Sequence, residues 1–168
     1  ENNVEEILKA FMQYIGKKKL VITGKLEDTS FVRRLKNIAT DKVIFTDAIY
    51  DKKVLDSLRQ GCFIYLHGHS VGGTNPSLLE AMAASCVCLC HDNVFNREVT
   101  EGTQMYWDLS FDLAIMLNLF EHKSPDLDTF KMKSLKRVRQ RYSWDITCSS
   151  YIELFNRLNK SGKSNTAG

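Results

Sequence analysis

Short apolar runs alternate with amphipathic helical patterns along this chain, and this alternation limits the possible folds more than any other feature. Runs that indicate buried strands occupy residues 18–24, 42–47, 62–69 and 86–90, with a weaker run near 104–107. Patterns that indicate helices lie between them at residues 30–40, 52–61 and 75–85. Segments that alternate in this way build a parallel sheet with helices on its faces. We therefore predict an α/β fold with a Rossmann-like parallel sheet flanked by helices.

Further helices are predicted before and after this alternating region. The first covers residues 1–16, and its apolar face consists of Ile7, Leu8, Phe11, Met12 and Ile15. The later helices are predicted at residues 111–120, 125–140 and 143–159. Ser30 and Asn75 are expected to cap their helices, with Pro76 at its favoured first position. The small polar residues 161–168 are predicted to form a disordered tail, which leaves residues 1–160 as one domain.

Length, charge and cysteine usage fit a globular protein and exclude several classes. The chain has 168 residues and a formal net charge of +3, which is too small to indicate nucleic-acid binding. The basic segment 131–142 is interpreted as the solvated face of a helix, with an anionic membrane or another polyanion as the alternative ligand. No apolar run approaches the ~20 residues that cross a bilayer, and the first residues lack the pattern of a signal peptide. Five cysteines, three of them inside one apolar run, indicate a reducing cytoplasm.

The most informative segment leaves the strand at 62–69, crosses a glycine-rich turn and enters the helix at 75–85. It reads HGHSVGGTNPSLLEAMAAS over residues 67–85. In an open parallel sheet, ligands bind at the carboxyl ends of the strands. Gly68, Gly72 and Gly73 let a ligand approach the backbone, and the helix start presents N–H groups that suit a phosphate. A tight turn without a ligand is the alternative, and neither GxGxxG nor GxxxxGK[ST] is present.

Several stretches of the chain resemble the carboxyl-terminal domain of family 4 glycosyltransferases. They are this segment, FNREV at residues 95–99, and the earlier patterns KLVITG, KVIFTD and VLDSLRQGCFIYLH. These are GT-B enzymes with two facing Rossmann-like domains. The resemblance covers about residues 1–159 and is closest to bacterial capsule and lipopolysaccharide enzymes, including rhamnosyltransferase-like members. It implies a donor-binding domain of a retaining enzyme that moves a sugar from a nucleoside diphosphate to a lipid-linked or polysaccharide acceptor.

The resemblance also implies partners and a location. The partners are the nucleotide-sugar donor, the amino-terminal acceptor-binding domain of the same enzyme and, through a lipid-linked acceptor, the membrane surface. Family members need neither a metal nor another cofactor, because protein charges and a helix dipole stabilise the leaving diphosphate. We therefore expect a cytoplasmic protein, peripheral at the inner membrane face, whose donor domain alone is inactive.

The resemblance assigns donor-site roles residue by residue. Glu80 matches a family glutamate that binds the ribose hydroxyls. The turn expected to meet sugar and diphosphate comprises Gly72, Gly73, Thr74, Asn75, Pro76 and Ser77. Asp47 lies in the segment 46–49 that borders the base, and Asn96, Arg97 and Glu98 match a loop that faces the donor. Arg97 either neutralises phosphate or forms a surface ion pair, and His69 either donates to the donor or braces its loop.

Two departures from the family pattern bear on this site. Gly72 stands where the family has a glutamate that contacts the transferred sugar. The family also has a strand before the opening helix, followed by a basic pair that neutralises the diphosphate, and this chain starts just beyond that point. Because the first strand is central in the sheet order 3-2-1-4-5-6, we expect a gap in the sheet. Another segment fills that gap, or the chain covers it by forming a homodimer.

Three other interpretations start from histidines, cysteines and aromatic residues. His67 and His69 alternate at a strand end, and Cys62, Cys90 or His91 would be needed to complete a zinc site for a hydrolase. Histidines that line the site or lie in the core are the favoured alternative. Three cysteines spaced two apart on a strand span ~13 Å, too far for one ion, and are predicted core residues; they are Cys86, Cys88 and Cys90.

The late aromatic residues are predicted to form the packing stripe of the last helix, rather than a sugar-stacking platform. This stripe consists of Tyr142, Ser143, Trp144, Tyr151 and Phe155. Some of these side chains are expected to contact the amino-terminal domain. The alternative to a donor-binding domain is a non-catalytic interaction domain that keeps the fold, and Gly72 is the main argument for it.

Overall fold

The computed structural model describes residues 2–122 and 126–164, without the side chains of residues 160–164. Its helices are α1 Val4–Met12, α2 Ser30–Ile38, α3 Lys52–Gly61, α4 Pro76–Ala83, α5 Val94–Thr100, α6 Ser110–His122, α7 Leu127–Arg141 and α8 Trp144–Ser164. Its strands are β1 Leu20–Thr23, β2 Val43–Thr46, β3 Tyr65–His67, β4 Cys88–His91 and β5 Met105–Trp107. Every strand pair is parallel, which confirms the predicted α/β class.

The sheet is divided in two. One part has the order β1-β2 and the other the order β3-β4-β5. Between them lies a groove of about 1160 Å³, lined by all of β1 and β3 and by Ile7 and Phe11 of α1. The division falls where the sequence predicts a missing central strand, so the facing edges of β1 and β3 pair with no strand in the described chain.

The core lies on both faces of the three-stranded sheet. Successive residues of β4 alternate between the faces: Leu89 packs with Trp107 and the helices α1 and α6, while Cys88 and Cys90 pack against α4. A parallel strand covered on both faces carries consecutive apolar residues, as Cys88, Leu89 and Cys90 do in β4. Cys86 is buried beside them, so the predicted core role of these three cysteines is confirmed.

Two predicted helix ends are wrong in detail. The first helix ends at Met12, so Ile15 leaves the apolar face and is exposed. Tyr14 is buried there instead, and its hydroxyl donates to Glu121 Oε2 of α6 at 2.6 Å. Thr29, and not Ser30, caps α2, because its Oγ1 accepts from the Val32 N–H.

Residues 94–100 form a helix, α5, that the sequence pattern did not reveal. The helix has only 7 residues, too few for a periodic apolar face to show in the sequence. Its cap is Asn93, whose Oδ1 accepts from the Asn96 N–H at 2.9 Å.

The prediction that the late aromatic residues form a packing stripe is wrong for those on the last helix, whereas Tyr142, just before it, packs against the core beside α4. Trp144 is 82% exposed, and Tyr151 and Phe155 also face solvent. None of the extensive packing contacts between helices and strands of the described chain involves α8, so its apolar side chains have little to pack against.

The last helix, α8, runs through residues 161–164, part of the predicted disordered tail, and residues 165–168 lie outside the described residues. No described helix combines the length and apolar composition that a bilayer crossing requires.

Candidate functional site

The carboxyl ends of the parallel strands meet at one edge of the molecule, and the groove opens there. Gly24 follows β1, Ala48 lies just beyond β2, and Gly68 follows β3; all three line the groove. Asn75 and Ser77, at the start of α4, line the same space. The structure therefore places the predicted turn and the predicted base-binding segment around one cavity, at the edge where α/β sheets bind ligands.

The glycine-rich turn is closed at its start and open at its middle. Gly68 is buried, and its carbonyl oxygen accepts from Asn3 Nδ2 at 2.9 Å. Gly72 has a φ of +94°, a left-handed conformation that favours glycine. A Cβ on Gly73 would meet no atom within 4 Å, and residues 71–74 are exposed. The middle of the turn is therefore accessible to a ligand that approaches the backbone.

The start of α4 is capped as predicted. Asn75 Oδ1 accepts from both the N–H and the hydroxyl of Ser77, at 2.9 and 2.7 Å. Pro76 occupies the first helical position and has no N–H to offer. The side chains of Asn75 and Ser77 are thus used in the cap, which leaves the backbone of the turn and the helix dipole to face a ligand.

His69 braces its loop through its backbone. Its carbonyl oxygen accepts from Asn93 Nδ2 at 3.0 Å and from Asn96 Nδ2 at 2.9 Å. The ring Nδ1 lies 2.7 Å from Asn2 Oδ1, and Nε2 would be 3.6 Å from a Cβ on Gly72. The ring therefore lies beside the open turn, where its role toward a ligand stays a prediction.

His67 lies in the interior. It is 4% exposed, and its Nε2 has no hydrogen-bond partner among the described residues. Burial, with a smaller effect from the nearby His69, lowers the pKa of His67 to about 4, so the ring is neutral at physiological pH. In the part of the chain that the structure describes, no three His, Cys, Asp or Glu side chains are grouped as metal ligands.

Glu80 is held by an arginine that the sequence analysis did not single out. Arg59 Nη2 of α3 donates to Glu80 Oε2 of α4 at 2.6 Å. Arg59 is 7% exposed, whereas the side chain of Glu80 is 46% exposed. Arg59 escaped notice because the pattern VLDSLRQG reads as an ordinary amphipathic helix with its arginine in solvent. Asp56, one turn earlier, also contacts Arg59 at 3.3 Å, but an acid–base pair at this spacing is equally the pattern of a solvated helix face.

Asp47 is exposed at the carboxyl end of β2. Its Oδ1 accepts from the Ala48 N–H at 2.8 Å, and its carbonyl oxygen accepts from Thr23 Oγ1 at 3.2 Å. These bonds fix the segment that continues into Ala48 and Ile49, both of which line the groove. Asp47 thus shapes the border of the groove, while its contact with a base stays a prediction.

Arg97 forms a two-pronged ion pair with Asp92 on the surface. Its Nε and Nη2 donate to the two carboxylate oxygens at 2.5 and 2.6 Å, and the guanidinium lies 4.4 Å from the ring centre of Tyr106. The hydrogen bond from Arg97 lowers the pKa of the Asp92 carboxyl. Arg97 therefore has a surface partner, which is one of its two predicted roles.

Asn96 does not face the outside, although the sequence placed it in a donor-facing loop. It is buried, and its Nδ2 donates to the carbonyl oxygens of His69 and His91. It therefore ties the exits of β3 and β4 together. Its neighbour Glu98 is exposed, and the Glu98 carbonyl oxygen accepts from Arg137 at 3.0 Å.

A comparison with protein families decides the assignment of the chain. The profile described as "Glycosyl transferases group 1" matches residues 1–104, more than half of the sequence. The chain belongs to this glycosyltransferase family. A search of curated proteins found no match.

Solved structures show the same fold as this glycosyltransferase domain. Anabaena Alr3699/HepE in complex with UDP superposes with a TM-score of 0.81 at 15% identity. Its complexes with UDP and glucose and with UDP-glucose give TM-scores of 0.79 and 0.80 at 15% and 14% identity. Each match covers 93% of this chain and 45% of the Anabaena protein. The domain thus matches one part of a GT-B glycosyltransferase and spans less than half the length of these neighbours.

Proposed function

We propose that this domain binds the nucleoside diphosphate sugar of a retaining glycosyltransferase, which transfers the sugar to a lipid-linked or polysaccharide acceptor. One observation carries the proposal: the open turn at residues 72–74 leads into α4 beside the groove, and Glu80 lies on that same helix. The Anabaena neighbours hold UDP or UDP-glucose, so a uridine nucleotide is the first donor to consider.

Each part of the site has a proposed role. Glu80 accepts the ribose hydroxyls, since ionised carboxylates are strong hydrogen-bond acceptors. The backbone of the turn and the positive end of the α4 dipole meet sugar and diphosphate. The segment 46–49 borders the base, and the ring of His69 lies beside Gly72, within reach of a ligand on the turn.

During sugar transfer, negative charge grows on the leaving nucleoside diphosphate, and the protein must stabilise it. The helix dipole of α4 supplies part of this stabilisation, and Arg97 supplies more if it exchanges Asp92 for phosphate. We propose that no metal or other cofactor takes part. The acceptor is bound by an amino-terminal domain, so the donor domain alone is expected to bind without catalysing transfer. A cytoplasmic location at the inner membrane face is part of the same proposal.

A non-catalytic interaction domain is the second candidate. Gly72 lacks the carboxylate that the family resemblance leads one to expect at that position. The exposed aromatic residues of α8 offer an apolar surface of the kind that protein partners cover. This candidate predicts partner binding through α8 and no response to nucleotides.

Calorimetric titration with UDP, dTDP, GDP and their sugar conjugates tests the proposal. We expect saturable binding of one nucleotide, weakened by roughly tenfold in Glu80→Gln, because a charge-assisted hydrogen bond is lost. The glutamine variant is preferable to alanine, since its amide oxygen still accepts from the buried Arg59. Glu153→Gln, on the exposed surface of α8, is the control and is expected to bind like the unchanged protein.

The second candidate is favoured if none of these nucleotides binds this domain or a longer chain that includes an acceptor domain. If a nucleotide binds equally well to Glu80→Gln, the domain has a nucleotide site, but Glu80 does not bind the ribose.

A further inference from the structure

We propose that Arg59 is a positioning residue for Glu80: it holds the carboxylate in the orientation that accepts ribose hydroxyls, and so sets the selectivity of the site for the sugar part of the nucleotide. This inference rests on the donor-binding function proposed above. It adds a residue of α3 to a site whose other parts lie at the strand ends and on α4.

The contact joins two helices that are distant in sequence. Arg59 Nη2 reaches Glu80 Oε2 at 2.6 Å across 21 residues of chain. The hydrogen bond uses one carboxylate oxygen from the protein side. Because the Glu80 side chain is 46% exposed, the carboxylate stays accessible to a ligand from the solvent side.

The arginine itself is fixed at both ends. Its side chain is 7% exposed, and Nη1 contacts Asp56 Oδ1 at 3.3 Å. Its carbonyl oxygen accepts from the Cys62 N–H at 3.3 Å and from Cys86 Sγ at 3.1 Å, which anchors the end of α3 near the start of β4. The guanidinium is planar and always charged, so it directs its partner more strictly than an ammonium group does.

A half-exposed glutamate without such a partner samples several rotamers, and ordering it on binding lowers affinity. Arg59 removes much of this freedom before the ligand arrives. A buried cation is costly to keep, and an apolar side chain would fill the same space at lower cost. The Arg59 Nε is buried without a hydrogen-bond partner in the described part of the chain, which adds to that cost. This cost is offset because the Glu80 carboxylate is already oriented for binding before the ligand arrives.

The test compares nucleotides with and without ribose hydroxyls, in the longest form of the protein that carries this domain. Affinities for UDP, dTDP and GDP, and for their 2′,3′-dideoxy analogues, are measured by calorimetry. The unchanged protein is expected to prefer the hydroxyl-bearing form of its nucleotide by roughly tenfold, the effect of one charge-assisted hydrogen bond. Arg59→Met is expected to reduce that preference to less than about threefold, because the unrestrained Glu80 carboxylate then loses rotamer freedom when the ligand binds.

A purely structural role of Arg59 would change stability and overall affinity, and not the preference for the hydroxyl-bearing nucleotide. If Arg59 only stabilises the fold, Arg59→Met lowers the melting temperature and weakens both analogues equally, so that the preference is unchanged; this result overturns the proposal. Arg59→Lys keeps the charge and is expected to retain the fold with an intermediate preference. If Arg59→Met does not fold, the lysine variant carries the test, and an unchanged preference in it overturns the proposal equally.

A double-mutant cycle separates this inference from the proposed function. In a Glu80→Gln background, Arg59→Met is expected to change the preference no further, since both substitutions act through one carboxylate. Independent, additive effects would overturn the positioning role. If Glu80→Gln removes the preference and Arg59→Met does not, only the role of Arg59 fails. If the unchanged protein shows no preference or binds none of these nucleotides, the ribose role of Glu80 fails and that of Arg59 fails with it.

Discussion

Gly68 and Asn2 are in such close contact that a Cβ atom at position 68 would lie 2.1 Å from the Asn2 carbonyl oxygen. That oxygen belongs to the backbone and cannot turn away as a flexible side chain could. Gly68→Ala is therefore expected to lower the free energy of unfolding by about 1–3 kcal/mol, the usual effect of overpacking. Urea unfolding followed by circular dichroism measures the change.

Gly24→Ala is the matched control, because a Cβ at this position would meet no atom within 4 Å. It is expected to leave the unfolding midpoint nearly unchanged. Equal midpoints for the two alanine variants would show that the contact between Gly68 and Asn2 is not as close as described.

The buried ring of His67 predicts a loss of stability in acid. Its pKa is lowered from 6.5 to about 4 in the folded state, mainly by burial. The unfolded chain then binds more protons than the folded chain between these two values, so stability falls as the pH drops from about 6.5 toward about 4. The shift corresponds to roughly 3 kcal/mol at the acidic end of this range.

Unfolding free energies at about pH 7 and about pH 5 test this, with His67→Gln for comparison. The glutamine variant lacks the titrating ring, and subtraction removes the contributions of all other groups. We expect a smaller loss of stability in the variant. An equal loss in both proteins would mean that His67 protonates without penalty.

The ion pair between Arg97 and Asp92 predicts competition with the diphosphate. If Arg97 neutralises phosphate, Asp92→Asn frees the guanidinium and raises nucleotide affinity, and Arg97→Met lowers it. Because the side chain of Arg97 is 55% exposed and that of Asp92 33% exposed, solvent screens the pair and we expect changes of no more than about fivefold. Calorimetry at low and high salt measures them, and unchanged affinity in both variants would assign Arg97 to the surface ion pair alone.

The exposed aromatic face of α8 predicts that truncation there costs little stability. Phe155→Ala is expected to change the free energy of unfolding by less than about 0.5 kcal/mol, as for most surface positions. Leu8→Ala, at a fully buried position of α1, is expected to cost about 2–5 kcal/mol. Chemical unfolding of both variants checks the contrast, and a large effect of Phe155→Ala would mean that α8 is packed in solution.

The groove between β1 and β3 predicts that a strand will stabilise the domain. Asn3 donates to the carbonyl oxygen of Gly68, just past the end of β3, so a strand fused ahead of Asn2 is expected to enter the groove parallel to β1 and β3. A fused apolar segment of about six β-forming residues is expected to raise the melting temperature by roughly 5 °C. It should also reduce any concentration-dependent association seen by gel filtration, since it covers the exposed edges.

A glycine-serine segment of the same length is the control, because it adds chain without apolar side chains or strand propensity. Equal melting temperatures for the two fusions would argue against strand pairing in the groove.

The sequence alone predicted the features that depend on neighbouring residues. The order of strands and helices apart from α5, the cap of Asn75 on α4 and the open turn around Gly72 follow from local patterns of apolar, polar and glycine residues. The division of the sheet was also expected, from the family resemblance and the central place of its first strand. The element order, the cap and the turn need only short stretches of chain, whose conformational preferences are expressed locally.

Only the tertiary structure decided which side chains meet across the fold. Arg59 binds Glu80 across 21 residues, and Asn96 binds the carbonyl oxygen of His69 across 27. Neither partner can be read from a local pattern, because an arginine or asparagine on a short amphipathic helix looks like a solvated residue. The exposure of α8 could not be predicted either. Its apolar stripe indicates a face that packs against something, and only the fold shows that little in the described chain covers that face.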